Sequence, residues 1–319
     1  MSIAANIAIR TAKLAHGIVE IALLFAMLIL VAIGCFALWD SNQLYRAAAP
    51  VQYELYKPTA GSDGLSFAEL QAINPEVFGW LTVYGTNIDY PLVQNKDNLK
   101  YVNTNAKGRY SLSGAVFLDC NSSTDFSDFS SIIHAHHMDK EVMFGQIGLF
   151  SEKSYFDARQ YGVLYFDGQE QGIEFFAFLH TNAYDTAVFR TKITAVEEQE
   201  AYLDLLLGMA KHTRNIAVST NDRIVLLATC SQSSTNGRDL LVGRITSEVM
   251  QDPFAEEGQR IDGFSSLWEQ APLWGKIVAV GLPLALLLWL VIALKRRRDS
   301  RKKGSVTMPD KGDEDTWQQ

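Results

Sequence analysis

Two long runs of uncharged, mainly apolar residues divide the chain, and they restrict its organisation more than any other feature. The runs are residues 21–39 and residues 277–294. A hydrocarbon layer of ~30 Å needs roughly 20 apolar residues in a helix, so both runs are predicted to span a membrane. A cleaved signal peptide is the alternative for the first run, although no small-x-small cleavage site follows it. A buried core helix is the alternative for the second run.

The positively charged residues predict how these spans are oriented. A basic cluster follows the second run directly: Lys295, Arg296, Arg297, Arg298, Arg301, Lys302 and Lys303. Arg10 and Lys13 precede the first run. Because basic flanks stay in the cytoplasm, we expect a two-pass protein of the cell membrane, with both termini cytoplasmic and residues 40–274 extracellular. The lipid bilayer is therefore an expected partner of the chain. The net charge of −8 argues against general nucleic-acid binding.

This topology divides the chain into predicted segments, which we list in order. They are a cytoplasmic N-terminus (1–20), a transmembrane helix (21–39), an extracellular linker (40–64), a folded domain (65–250), a second linker (251–276), a second transmembrane helix (277–294) and a basic cytoplasmic tail (295–319). The domain is long enough to enclose a hydrophobic core of its own.

The hydrophobic pattern of the folded domain predicts a mainly β structure. Helical spacing predicts a helix over Leu65–Ile73, with Ser66 as its N-cap. Short β-rich runs separated by turn residues follow at 78–84, 114–118, 131–135, 163–166, 174–180, 223–229 and 240–246. One amphipathic helix, residues 197–211, interrupts this series. Many short strands with regular turns are typical of a barrel or a sandwich.

A cysteine and a histidine from distant parts of the sequence are the candidate reactive groups. Cys230 ends an apolar run, residues 224–229, that is predicted to be a buried strand, and a polar loop follows it. His136 lies where another predicted strand runs into a loop. Such a pair is typical of thiol catalysis, and Arg238 would supply positive charge to a developing oxyanion. A structural cysteine is the alternative for Cys230, while Cys120 is expected to be a free thiol.

Other polar residues have simpler interpretations. His134, His136 and His137 invite a metal site. Strand alternation places His134 and His136 on one face and His137 on the other, and the offsets do not match a His-x-His-x-Asp-His site, so we expect no metal and no cofactor. His180 is predicted to be a packed core residue. Asp119 is predicted to cap a turn rather than to act as an acid or base.

Several ordered motifs between residues 74 and 246 resemble the class B sortases, the cell-wall transpeptidases of Gram-positive bacteria. The motifs are residues 74–81, 86–94, 114–119, 125–128 and 143–145. The helix at 197–211 also falls between the sixth and seventh strands, where the family carries one. The resemblance implies a sortase-type closed β-barrel with an N-terminal helix and this inserted helix, flanked here by two transmembrane helices.

The resemblance also implies roles for individual residues. Residues 134–138 read His-Ala-His-His-Met where the family has Tyr-Gly-His-Asn-Met, so the catalytic histidine corresponds to His136. Residues 226–230 read Leu-Leu-Ala-Thr-Cys where the family has Thr-Leu-Ser-Thr-Cys, which makes Cys230 the nucleophile. The family arginine corresponds to Arg238. Substrate contacts are then expected at three further residues: Thr229, Ala228 and His134.

The activity implied by the resemblance is a two-step acyl transfer by a cysteine transpeptidase. Its donor would be the C-terminal sorting signal of a secreted protein, and its acceptor an amine of a peptidoglycan precursor or of a pilin. Anchoring of proteins to the cell wall is the leading expectation, because no inhibitory lid precedes the barrel, and pilin polymerisation is the alternative. From a different class, the domain would be a non-enzymatic extracytoplasmic binding or sensor domain.

Overall fold

The computed structural model describes residues 3–58, 65–231 and 235–255, together with the single residue 281. Within this part of the chain, one helix is long and apolar enough to cross a membrane. It is α1 (Ile3–Ala48), whose candidate span, Leu14–Ala48, has a mean hydropathy of 3.0 in its most apolar window and no buried residue there. These properties fit a membrane span and fit a signal sequence equally well. The second predicted span, 277–294, lies outside the described residues except at position 281.

Helix α1 extends well beyond the predicted span and into the predicted extracellular linker. It ends at Ala48, and Pro50 begins a short 3-10 turn. Ala49 is extended, with φ −66° and ψ 141°, because the ring of a following proline disfavours helical backbone at the preceding residue. No proline precedes Pro50 in the chain, so local sequence stops the helix here rather than at the end of the apolar run.

The described residues of the domain form three further helices and nine strands. The helices are α2 (Leu65–Ile73), α3 (Lys153–Ala158) and α4 (Val196–Met209). The strands are β1 (Val77–Val83), β2 (Asp89–Val93), β3 (Val116–Leu118), β4 (Ser130–His134), β5 (Tyr161–Phe166), β6 (Gln169–Asn182), β7 (Ala210–Thr213), β8 (Arg223–Cys230) and β9 (Gly237–Thr246).

These strands close into a barrel. Their order is β5-β1-β2-β3-β4-β8-β9-β6-β7, and β5 also pairs with β6. The additional pairing joins the ends of an eight-stranded circuit and leaves the short β7 beside β6. Closure removes the exposed edges that an open sheet would present. The predicted closed β-barrel with an N-terminal helix is therefore confirmed, and the sandwich is excluded for this domain.

Strand β2 is absent from the sequence-based series, since it contains Pro91. Proline cannot donate a ladder hydrogen bond and usually argues against a central strand. On one side Pro91 pairs with Trp80 of β1, but on the other side the short β3 pairs only with Leu92 and Val93. The ladder toward β3 thus begins after Pro91, which is why a central strand tolerates it.

Helix α4 covers one face of β8 and explains why residues 224–228 of that strand are all apolar. Leu227 packs in the larger core cluster, whereas its neighbours Leu226 and Ala228 pack in a second cluster together with Tyr202 and Leu206 of α4. Side chains of a strand alternate between faces, so β8 is buried on both. This burial fixes the strand that carries Cys230 at its end.

Candidate active site

Three neighbouring strands bring the predicted reactive residues to one end of the barrel. Strand β4 pairs in parallel with β8, and the register aligns His134 with Ala228. Strand β9 pairs antiparallel with β8, and the register places Arg238 directly opposite Cys230. Cys230 and Arg238 are thus cross-strand neighbours, and their Cα atoms lie about 5 Å apart.

All six residues predicted for the site line a single open cleft of about 310 Å³. They are Cys230, His136, Arg238, Thr229, Ala228 and His134. Cys230 is exposed at the end of β8, and none of the three cysteines forms a disulfide. The cleft therefore joins an accessible thiol, an imidazole and a guanidinium.

The ring of His136 is oriented by a backbone carbonyl. Its Nε2 lies 2.7 Å from the carbonyl oxygen of Val102. A carbonyl oxygen only accepts hydrogen bonds, so Nε2 carries the proton and, in the neutral ring, Nδ1 is left as the acceptor. The contact fixes one tautomer of a residue that otherwise lies in a loop.

Thr229 and Ala228 connect the strand that carries Cys230 to the segment that leads to His136. The buried Thr229 hydroxyl donates to the carbonyl of Ala135 over 2.9 Å, and the amide of Ala135 donates to the carbonyl of Ala228 over 3.3 Å. Ala135 directly precedes His136. These two hydrogen bonds hold the ends of β4 and β8 in a fixed relation.

His134 forms a polar pair with Asp119 inside the cleft. Its Nε2 lies 3.4 Å from Asp119 Oδ2, and Asn98 Nδ2 donates to the same oxygen over 2.7 Å. Burial opposes ionisation of Asp119, but its hydrogen bonds, chiefly the one from His134, lower the pKa of the carboxyl from 3.8 to about 2. Asp119 does cap its turn as expected, accepting the Asn121 amide over 2.9 Å. The pairing of Asp119 with His134 was not predicted. The position of Asp119 just after β3 could have indicated it, because β3 pairs with β4, which ends at His134.

Arg238 is half-buried and donates from Nη1 to the carbonyl of Gly237 over 3.0 Å. Among the residues that the structure describes, it forms no ion pair. Its positive charge is therefore available to an anionic group in the cleft.

The prediction that His180 is a packed core residue is wrong. Its side chain is 42% exposed, and its Nδ1 lies 2.9 Å from Oδ1 of the buried Asp239. The aromatic residues that precede His180 in β6 suggested a fully buried strand, but the strand becomes polar at His180. As for metals, the described part of the chain holds no group of three His, Cys, Asp or Glu residues arranged to bind an ion.

Comparison with known proteins identifies relatives of this fold and site. Sortase B of Listeria monocytogenes is 30% identical over 182 residues, which cover 56% of this chain and 74% of that protein. A crystal structure of sortase B from the type II pilus of Streptococcus pneumoniae is 45% identical, with a TM-score of 0.51, and the match covers 57% of this chain and 99% of that one. A class B sortase of Streptococcus pyogenes involved in pilus biogenesis is 38% identical, with a TM-score of 0.53, and covers 58% of this chain and 100% of its own.

No family model matches the chain. The protein is nevertheless similar to the sortase B relatives over most of their length, in sequence and in fold alike. The chain belongs to the class B sortases.

Proposed function

We propose that this protein is a membrane-anchored cysteine transpeptidase that cleaves the C-terminal sorting signal of secreted proteins and transfers the acyl group to an amine. The observation that carries the proposal is the cleft shared by Cys230, His136 and Arg238 in a member of the sortase family. The register of β8 and β9 pairs Cys230 directly with Arg238.

In the first step the thiolate of Cys230 attacks the scissile carbonyl, and a carbon–sulfur bond forms. The negative charge that develops on the carbonyl oxygen is countered by Arg238, whose charge is uncompensated among the described residues. The carbon–nitrogen bond then breaks, and the leaving amine takes a proton from the His136 imidazolium. The product is a thioester on Cys230.

In the second step a neutral amine attacks the thioester carbonyl. His136 takes the proton that the nitrogen loses, and the electron pair of the carbon–sulfur bond returns to the Cys230 sulfur. An amide forms, and the enzyme recovers the Cys230 thiolate and the His136 imidazolium with which the first step began. No cofactor enters either step.

The membrane arrangement we propose follows from the sequence. Spans at 21–39 and 277–294 would hold the domain outside the cell with both termini in the cytoplasm. Enzyme and secreted donor held at one membrane would meet at a raised effective concentration. The exposed apolar surface of α1 supports the first of these spans.

Two acceptors are compatible with this chemistry, a peptidoglycan precursor and a pilin lysine. The descriptions of the pneumococcal and S. pyogenes relatives as pilus sortases favour the pilin as a second candidate. Incubation of the enzyme with a candidate pilin separates the two. A ladder of SDS-resistant oligomers would establish polymerisation, whereas a single product with a cell-wall amine would establish anchoring.

Substitution of the nucleophile tests the proposal. Cys230→Ala removes the thiol, so we expect no transfer from a fluorogenic sorting-signal peptide to an added amine. Cys120→Ala is the matched control, because it removes the other cysteine of the domain and does not touch the cleft. Transfer that persists in Cys230→Ala would contradict the assignment of Cys230 as the nucleophile, whereas absence of transfer by the wild-type protein would favour a non-enzymatic binding or sensor domain.

A further inference from the structure

A second cavity, of about 500 Å³, borders the same strand ends as the active-site cleft. Its lining includes His137, Ser231 and Asp239, and each of these directly follows one of the residues proposed for catalysis. On β9 the side chains of Arg238 and Asp239 point to opposite faces, as alternation requires. The end of β8 that carries Cys230 therefore lies between two cavities.

The wall of the second cavity contains a buried carboxylate paired with a histidine. Asp239 is 8% exposed and is the cross-strand partner of His180. Its Oδ1 accepts from His180 Nδ1 over 2.9 Å, while a Cβ atom built on Gly148 would lie 3.1 Å from its Oδ2. A negative charge held in so little water favours a cation beside it.

The other charges of the cavity support an overall negative lining. Asp139, Glu141 and Asp239 line it together with two lysines, Lys140 and Lys211. Lys140 is partly withdrawn, because its Nζ lies 3.4 Å from Asn42 Oδ1 and 4.5 Å from the ring of Tyr45 in α1. Among these five groups the three carboxylates outnumber the two lysines.

We propose that this second cavity binds the amine acceptor, a primary ammonium on a flexible chain, and that Asp239 with His180 is its recognition pair. The inference rests on the proposed function and extends it. After the first step the acyl chain on Cys230 occupies the cleft, so the acceptor needs a separate route to the thioester. The cavity that begins at Ser231 supplies that route, and its negative lining concentrates ammonium groups near it.

Asp239 acts here as a binding group and not as a base. Asp239 on β9 pairs with Thr229 of β8 on one side and with His180 of β6 on the other. The backbone of β6 at His180 therefore lies about 10 Å from the backbone of β8. The attacking nitrogen must itself reach the thioester, where His136 receives its proton. The pair is thus expected to hold the chain of the acceptor during its approach.

The test is the partition of one acyl-enzyme between competing nucleophiles, measured on the full-length protein in detergent. A fluorogenic sorting-signal peptide supplies the acyl group, and Nα-acetyl-lysine amide or the small, uncharged hydroxylamine accepts it. For Asp239→Asn, which keeps an acceptor oxygen for His180, we expect the preference for the lysine amine over hydroxylamine to fall about tenfold. The ratio is independent of the acylation rate because both products come from the same thioester.

A second variant covers the case in which Asp239→Asn fails to fold. Leu149→Lys places a cation in the same cavity at a side chain that is 39% exposed, and it should lower the preference in the same direction. Asp204→Asn, which removes an exposed carboxylate of α4 outside the cavity, is the control and should keep the wild-type preference. A wild-type preference in either folded cavity variant overturns the inference. Absence of any thioester in the wild-type protein would instead overturn the proposed function.

Discussion

At the scale of single residues, the site depends on polar groups that hold one another in place. His136 is oriented by the carbonyl of Val102, and His134 is held by Asp119 and Asn98. The resemblance to the class B sortases predicts that His134 contacts the substrate. The structure adds the Asp119 carboxylate beside it, so the cleft contains a hydrogen-bonded polar network among its apolar residues.

The Asp119 carboxyl predicts how stability depends on pH. Its pKa is about 2 in the folded protein and near its ordinary 3.8 when unfolded, so ionisation favours folding above pH 4. The difference corresponds to about 2 kcal/mol of unfolding free energy, which is lost as the pH falls from about 4 to 2. We expect Asp119→Asn to be less stable than wild type by about 1–2 kcal/mol at pH 7.

Denaturant unfolding at pH 7 and near pH 2, followed by tryptophan fluorescence, measures both values. The difference between wild type and Asp119→Asn should shrink at the lower pH. A difference of the same size at both pH values would show that the carboxylate charge is not what stabilises this turn.

At the scale of elements, β8 is the strand on which the site depends, and α4 is its outer cover. The apolar run before Cys230 predicted a buried strand, and Leu226 and Leu227 are buried on opposite faces as such a run requires. Helix α4 ends at Met209 rather than at residue 211, because Ala210 begins β7. A helical pattern alone does not reveal that its last residues pair with β6.

Truncation of the α4 contact tests this view of the element. Leu206 is fully buried against the second cluster, so Leu206→Ala should lower the unfolding free energy by about 2–5 kcal/mol. Leu207 is the next residue and is 41% exposed, so Leu207→Ala should cost below about 0.5 kcal/mol. Chemical denaturation of the two variants decides the point. Equal losses would mean that α4 does not cover β8.

The strands show how much of the fold the sequence could reveal. Runs with turn residues at both ends predicted most of the barrel, including β8 and β9. The predicted run 240–246 begins after Arg238, however, whereas β9 begins at Gly237 and includes it. Pro91 hid β2, because its effect on pairing depends on the length of the neighbouring strand β3. The pairing of His180 with Asp239 was also missed, since register between β6 and β9 joins residues that are far apart in sequence.

At the scale of the whole molecule, the long helix α1 reaches the loop that follows His136. Tyr90 donates its hydroxyl proton to the carbonyl of Ala48 over 3.0 Å and accepts the amide of Met143 over 2.9 Å. Lys140 of the same loop lies over Tyr45. The end of the proposed anchor thus packs directly against the catalytic side of the barrel.

The proposed two-pass topology makes a prediction of its own. Single cysteines introduced at Ser2 and at Ser305, in a background in which Cys35, Cys120 and Cys230 are replaced by Ala, should resist a membrane-impermeant thiol reagent in intact cells. A protein that keeps Cys230 as its single cysteine should react under the same conditions, because Cys230 is exposed on the domain that this topology places outside the cell. Labelling of residue 305 in intact cells would contradict a cytoplasmic C-terminus.

The most direct test of the central claim is the mass of the covalent intermediate. The full-length protein is mixed with a sorting-signal peptide in the absence of an amine, quenched in acid and digested for peptide mass spectrometry. We predict that the acyl fragment is found on Cys230, that hydroxylamine releases it, and that Cys120 stays unmodified. An acyl group on another residue, or none on Cys230 while the peptide is cleaved, would contradict the account.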